Sequence, residues 1–181
     1  MEIVGYEVYE TGNSKGNNRS LRLQSWEIHR ISGDDIMNQL RKALELAYEK
    51  HKDQVDKAGK PYFLHPVYVS HNECVKGKGK VVAILHDIIE DTDVTEEMLL
   101  DMGFDKDIVE AIVLLTRDKD VDYFDYVRKI RDSNNSYAYW VKVGDLENNM
   151  DLSRLNEVTD KDVKRVEKYQ KALDILFRNC E

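Results

Sequence analysis

The stretch Val81-Val-Ala-Ile-Leu-His-Asp-Ile-Ile-Glu-Asp-Thr-Asp93 decides how this chain is read. Its first five residues are apolar without exception, the mark of a helix buried on every side. Into that helix the sequence inserts His86, Asp87, Glu90 and Asp91. Ionised groups beside a core are costly unless paired, hydrogen-bonded or bound to a metal. His86 and Glu90, and Asp87 and Asp91, are four residues apart, so one continuous helix would crowd all of them onto adjoining stripes. Asp87 and Asp91 would repel each other, and carboxylates near a C-terminal end face the wrong pole of the helix dipole. No Lys or Arg stands between Lys80 and Lys106 to offset these costs. A divalent cation is the economical answer. Asp93 reads differently, as a capping-box partner of Glu96 for the next helix.

A His-Asp pair cannot complete a coordination sphere, so further ligands must come from elsewhere. His65, in Tyr62-Phe-Leu-His-Pro66, is one candidate; the following proline favours extended backbone there, although a lone histidine also suits a structural role. Asp145 is the other, an acid beside Gly144 in the semi-apolar run Trp140-Val-Lys-Val-Gly-Asp-Leu-Glu-Asn-Asn-Met150. Two histidines and two carboxylates make a borderline-hard site suited to Mn2+, Fe2+, Mg2+ or Zn2+, with water in the open positions.

Around this centre the period is helical. Ile36, Leu40, Leu44 and Ala47 predict a first amphipathic helix ending near Asp53, before Gly59-Lys60-Pro61. Further helical stretches are expected around 65–75, 80–91, 95–102, 106–116, 122–132, 137–152 and 159–178. Both prolines, Pro61 and Pro66, lie between the first and second of these. The N-terminus differs. Glu2 to Tyr9 and Leu21 to Ile28 are rich in β-branched and aromatic residues, and Thr11 to Asn18 is loop chemistry. The pattern predicts a β-hairpin over residues 1–31, ahead of an all-α bundle over residues 32–181. A two-stranded hairpin is marginal alone and is expected to pack on the bundle or on a second subunit, so a homo-oligomer stays open.

The composition narrows the chemistry. The 181 residues carry 27 Lys+Arg against 35 Asp+Glu, a net charge of −8, which argues against a nucleic-acid binder that works by neutralising phosphates. No apolar run approaches the length of a membrane span, and the first 30 residues lack the basic-then-apolar order of a signal peptide. Cys74 and Cys180 form no disulfide framework or zinc spacing, which points to a cytoplasmic protein.

Taken in order, Gly59-x-Pro61-Tyr62, His65-Pro66, His86-Asp87, Glu90-Asp91-Thr92 and Lys142-x-x-Asp145 with Asn149 resemble the HD-domain phosphohydrolases. The likeness is to the hydrolase domain of RelA/SpoT proteins and to small alarmone hydrolases, and it runs from about Ile36 to Leu155. It implies an HD-type helical bundle with Mn2+ held by His65, His86, Asp87 and Asp145, and water positioned by Glu90 and Asp91. The implied reaction releases pyrophosphate from the 3′ position of a guanosine alarmone. By the same analogy Asn149 meets the nucleotide sugar, Lys57 the anionic or base edge, and Lys142 a site carboxylate or a phosphate. His51 matches no ligand and reads as structural. The chain departs from the family at Asp56-Lys57, where the family carries Arg-Lys and that Arg packs on guanine. Hydrolysis of another nucleotide or phosphoester therefore stands as an alternative. A non-catalytic nucleotide-binding module is a third reading, one that predicts a lost ligand or a lost Glu90-Asp91.

Overall fold

Helix α3 (Lys78–Leu85) is the axis on which the other helices are laid: Val81 through Leu85 are all buried. A segment apolar on every face needs neighbours on every face, and α3 packs against α1 (Gly33–His51), α2 (Leu64–Ser70), α6 (Lys106–Leu115) and α8 (Ser136–Met150). The computed structural model describes residues 6–10, 21–25, 33–155 and 157–178. The chain divides into two compact units, Met1–Ser32 and Gly33–Glu181.

In the larger unit every regular element among the described residues is helical. Besides those named, α4 (Ile88–Asp91), α5 (Glu96–Asp101), α7 (Tyr123–Asp132) and α9 (Asp160–Phe177) complete it, with a 3-10 turn at Leu152–Arg154. This is the all-α bundle that the helical period anticipates. Local chemistry sets the boundaries. Helix α1 carries Asp34 and Asp35 in its first turn and Lys50 and His51 in its last, each matched to the helix dipole. The Asp122 side chain caps α7 through the amides of Phe124 and Asp125, and Asn135 caps α8 through that of Ala138. Thr159 and Asp162 form a capping box on α9. The core gathers Ala43, Ala47, Ile84, Ile88, Leu99, Ile108, Ile112, Ile130 and Leu146, with Leu173 and Leu176 from α9.

Two readings of the central stretch need correction. The helix expected over 80–91 is broken: α3 ends at Leu85, and Asp87, at φ −100° and ψ 0°, becomes the N-cap residue of the short α4. The break relieves the crowding that a continuous helix would impose and puts Asp87 at a helix start. Asp93 does not cap α5. Thr95 does, accepting from the amide of Met98, while Asp93 pairs with Lys50 at 2.5 Å.

The smaller unit contains two five-residue strands, β1 (Tyr6–Glu10) and β2 (Leu21–Ser25), paired antiparallel with Tyr6 opposite Ser25 and Glu10 opposite Leu21. The loop expected over 11–18 lies outside the described residues. No helix among the described residues is long and apolar enough to cross a membrane.

Candidate metal centre and its cleft

Three separate parts of the bundle deliver the donor atoms. His65 sits in the first turn of α2, His86 and Asp87 occupy the break between α3 and α4, and Asp145 lies in the middle of α8. Gly144 eases the approach of α8: a Cβ there would stand 3.1 Å from Asn72 Cβ, tight enough that the Asn72 side chain would have to shift by a few tenths of an ångström. His65 Nε2 is 3.2 Å from Asp145 Oδ1 and 3.7 Å from Asp87 Oδ2; His86 Nε2 is 3.0 Å from Asp87 Oδ2 and 3.7 Å from Asp145 Oδ1. One donor atom each from His65, His86 and Asp87 falls within a 4.8 Å cluster.

These spacings test the fit of an ion. Ligands bound at roughly 2.1 Å and near-octahedral or tetrahedral angles stand about 3.0–3.5 Å from one another. The shorter two distances here, 3.0 and 3.2 Å, fall in that range, and the two at 3.7 Å lie just beyond it. The histidine tautomers agree. His86 Nδ1 lies 2.8 Å from the carbonyl of Ala83, an acceptor only, so Nδ1 carries the hydrogen and the Nε2 lone pair faces inward. His65 Nδ1 is held in the same way, 2.8 Å from Asn148 Oδ1. His86 Nε2 is buried and has no hydrogen-bond partner, although a carboxylate oxygen stands 3.0 Å away. Two lone pairs face each other there, so a proton or a metal ion must lie between them.

The electrostatics carry the same demand. Burial works against the charged form of His86, but Asp87 and Asp145 outweigh it and hold the imidazole well above its ordinary value. Burial would raise Asp87, yet His86 overrides it and the carboxyl is pushed down to about 2. Asp145 is held well below the carboxylate range, against burial, by Lys142 first and then by both imidazoles. Lys142 Nζ donates to Asp145 Oδ2 at 2.8 Å, and Asn149 Nδ2 donates to Asp145 Oδ1. Tertiary folding thus supplies the cation that the sequence near Asp87 lacks, though only to Asp145.

Every expected site residue is placed around this centre except Lys57. His65, His86, Asp87, Glu90, Asp91, Lys142, Asp145 and Asn149 all line one cleft of about 280 Å³. Glu90 accepts from the backbone amide of Arg117 at 3.2 Å. Burial, then the Asp87 charge, pushes the Asp91 carboxyl up. Lys57 lines an adjoining cleft of about 230 Å³, which shares Tyr62, His65, Asn149 and Tyr169 with the first. Asp56 lies in that second cleft and accepts at Oδ1 from the amides of Ala58 and Lys60, so its carboxylate holds the loop together. His51 is buried and bonded to Gln54, with no contact to the four-residue cluster, in keeping with a structural role.

Sequence reasoning missed several participants. The Tyr62 hydroxyl donates to Asp87 Oδ2, and its ring packs between those of His51 and His65. Asn148 orients His65. Arg117, Tyr123, Tyr126 and Lys168 also face the first cleft. Only Tyr62 stood in a recognisable motif; Arg117 lies in the loop after α6 and the others on α7, α8 or α9, with no local signal.

No family model matches this sequence. Among curated proteins, it is 33% identical over 96 residues to a guanosine-3′,5′-bis(diphosphate) 3′-pyrophosphohydrolase of Borreliella burgdorferi, covering 51% of this chain and 14% of that protein. It is 40% identical over 62 residues to the protein of that name from Aquifex aeolicus, covering 33% of this chain and 9% of that one. With the bifunctional (p)ppGpp synthase/hydrolase SpoT of Escherichia coli it shares 33% identity over 85 residues, 44% of this chain and 12% of SpoT. The chain therefore spans about a tenth of the length of these relatives. A solved structure described as a metazoan ortholog of SpoT that hydrolyzes ppGpp superposes with a TM-score of 0.62 at 25% identity, covering 77% of this chain and 85% of that one. The resemblance to a RelA/SpoT-type hydrolase domain thus holds in sequence and in fold.

Proposed function

We propose that this chain is a divalent-metal-dependent phosphohydrolase that removes the 3′-diphosphate of a guanosine alarmone, with Mn2+ as the working ion. The observation that carries this reading is the convergence of His65, His86, Asp87 and Asp145 with both Nε2 lone pairs turned inward. The named relatives supply the substrate class.

In this reading His65, His86, Asp87 and Asp145 hold the ion, and Tyr62, Asn148 and Asn149 fix their orientation. A bound ion supplies an acidified water and a counter-charge for phosphate. Glu90 and Asp91 take up the proton of the attacking water; a carboxyl raised by burial, as at Asp91, is the better base for it. The water oxygen bonds to the proximal phosphorus and the bond to the ribose 3′ oxygen breaks. That oxygen keeps the electron pair and regains a proton, and pyrophosphate departs. Asn149 and Lys57 contact the nucleoside across the boundary of the two clefts. Residues 32–181 form the hydrolase domain, and residues 1–31 a β-hairpin extension to it.

Hydrolysis of a different nucleotide is a second reading, favoured by Asp56, whose backbone-bound carboxylate offers no guanidinium plane to a base. Assaying a panel of phosphorylated nucleotides with Mn2+ separates the two, with guanosine 3′,5′-bis(diphosphate) expected to yield pyrophosphate fastest. Asp87→Ala should abolish both metal retention and turnover. Unaltered turnover in that variant would refute the site.

A further inference from the structure

We propose that Arg117, Lys168 and the Tyr123 hydroxyl form a subsite that grips the diphosphate released by the reaction, an assignment that rests on the hydrolase reading above. All three line the cleft that holds the candidate metal centre. The backbone amide of Arg117 is bonded to Glu90, which fixes this residue beside the proposed base. Its guanidinium donates to the carbonyl of Val121 and, among the described residues, has no carboxylate within ion-pair distance. Lys168 Nζ stands 3.7 Å from the centre of the Tyr123 ring, and it too has no carboxylate within ion-pair distance among the described residues. Asp122, the acid that acts on Lys168, gives its Oδ1 to the amides of Phe124 and Asp125.

The Tyr123 hydroxyl oxygen is buried without a hydrogen-bond partner, a costly state for a donor unless a ligand completes it. Lys142, tied to Asp145, lies 6.0 Å from the centre of the same ring, so Tyr123 neighbours both the centre's own lysine and Lys168. Burial, then the charges of Arg117 and Lys142, push Lys168 below its ordinary value. Arg117 and Lys168 repel each other and face one cleft without a carboxylate partner among the described residues, an arrangement that an anion would relieve. Two charges and a hydroxyl suit a diphosphate, with its several acceptor oxygens, better than a single phosphate.

The probe is inorganic pyrophosphate, titrated calorimetrically into Mn2+-loaded protein and used as an inhibitor of turnover. The Arg117→Ala/Lys168→Ala double variant should bind pyrophosphate at least about tenfold more weakly, the loss of one to two charge-assisted hydrogen bonds, while its Mn2+ affinity stays at the wild-type value. Tyr123→Phe keeps the ring and the charge balance, and should lose about threefold from the missing hydrogen bond. Pyrophosphate affinity within twofold of wild type in both variants overturns the subsite. Intact pyrophosphate affinity with lost discrimination against a substrate lacking its 5′ phosphates moves the contact to the 5′ arm and also overturns it. Calorimetry needs no turnover. A protein that binds pyrophosphate through these residues yet cleaves no alarmone therefore keeps the subsite and rejects the hydrolase reading.

Discussion

Two little-exposed lysines in this bundle pair with aspartates, and they do opposite things. Lys78, at the start of α3, reaches Asp105 at 2.7 Å and Asp107 at 2.8 and 2.9 Å. The two aspartates stand at the start of α6, and the cluster satisfies itself. Lys142 reaches Asp145 at 2.8 Å, but Asp145 also faces His65 and His86, and Asp87 stands beyond them. One lysine cannot neutralise both carboxylates, so a proton on His86 or a metal ion must supply the second positive charge. The first cluster is closed and mechanical. The second is short of positive charge, and that shortage marks it as a place for a ligand.

The comparison breaks most sharply at Glu90. It lines the cleft but holds none of the four-residue cluster, so Glu90→Gln should keep the metal, read by calorimetry, and lose about 10²–10⁴ in turnover. Loss of metal instead would make Glu90 a ligand. Lys78→Met should do the reverse. Leaving Asp105 and Asp107 without their partner should cost about 2 kcal/mol, discounted because both acids are partly exposed. Denaturant unfolding would show this, with metal affinity and turnover per folded molecule unchanged; a drop in metal affinity would show that the two clusters communicate. The smallest effect is a slope. His86 is raised in the metal-free protein, so it carries a proton that the ion must displace, and metal affinity should rise with pH by up to about tenfold per unit. The slope should persist above neutrality and flatten past the raised value. The sign for stability is opposite: a raised histidine stabilises the metal-free fold at low pH, and that contribution is lost as pH rises through the folded-state value. A pH-independent metal affinity would show that His86 is not protonated in the free protein.

Much of this was legible in the chain. The helical period located eight helical stretches, and burial cost alone singled out His86 and Asp87, because charge inside an apolar run has no local excuse. His65 and Asp145 were candidates by chemistry, but nothing in their spacing says that α2 and α8 meet at the break after α3. That break was itself invisible, since His86-Asp87 contains no helix breaker; it shows only in the backbone, where Asp87 leaves helical geometry at φ −100° and ψ 0°. Tyr62 and Asn148 escaped notice because a residue that orients a ligand has no signature apart from the contact it makes. Asp56 read only as the loss of a guanine-packing arginine, whereas its carboxylate is bonded to the loop's own amides.

By itself the sequence determined an all-helical body and the demand for a cation, since hydrophobic period and the cost of buried charge are properties of local order along the chain. Only the tertiary structure decided which imidazoles and carboxylates share that cation, how their lone pairs are turned and which basic side chains face the same cleft. Those facts depend on contacts between segments as far apart as Tyr62 and Lys168, and such contacts exist only once the core has brought the helices together.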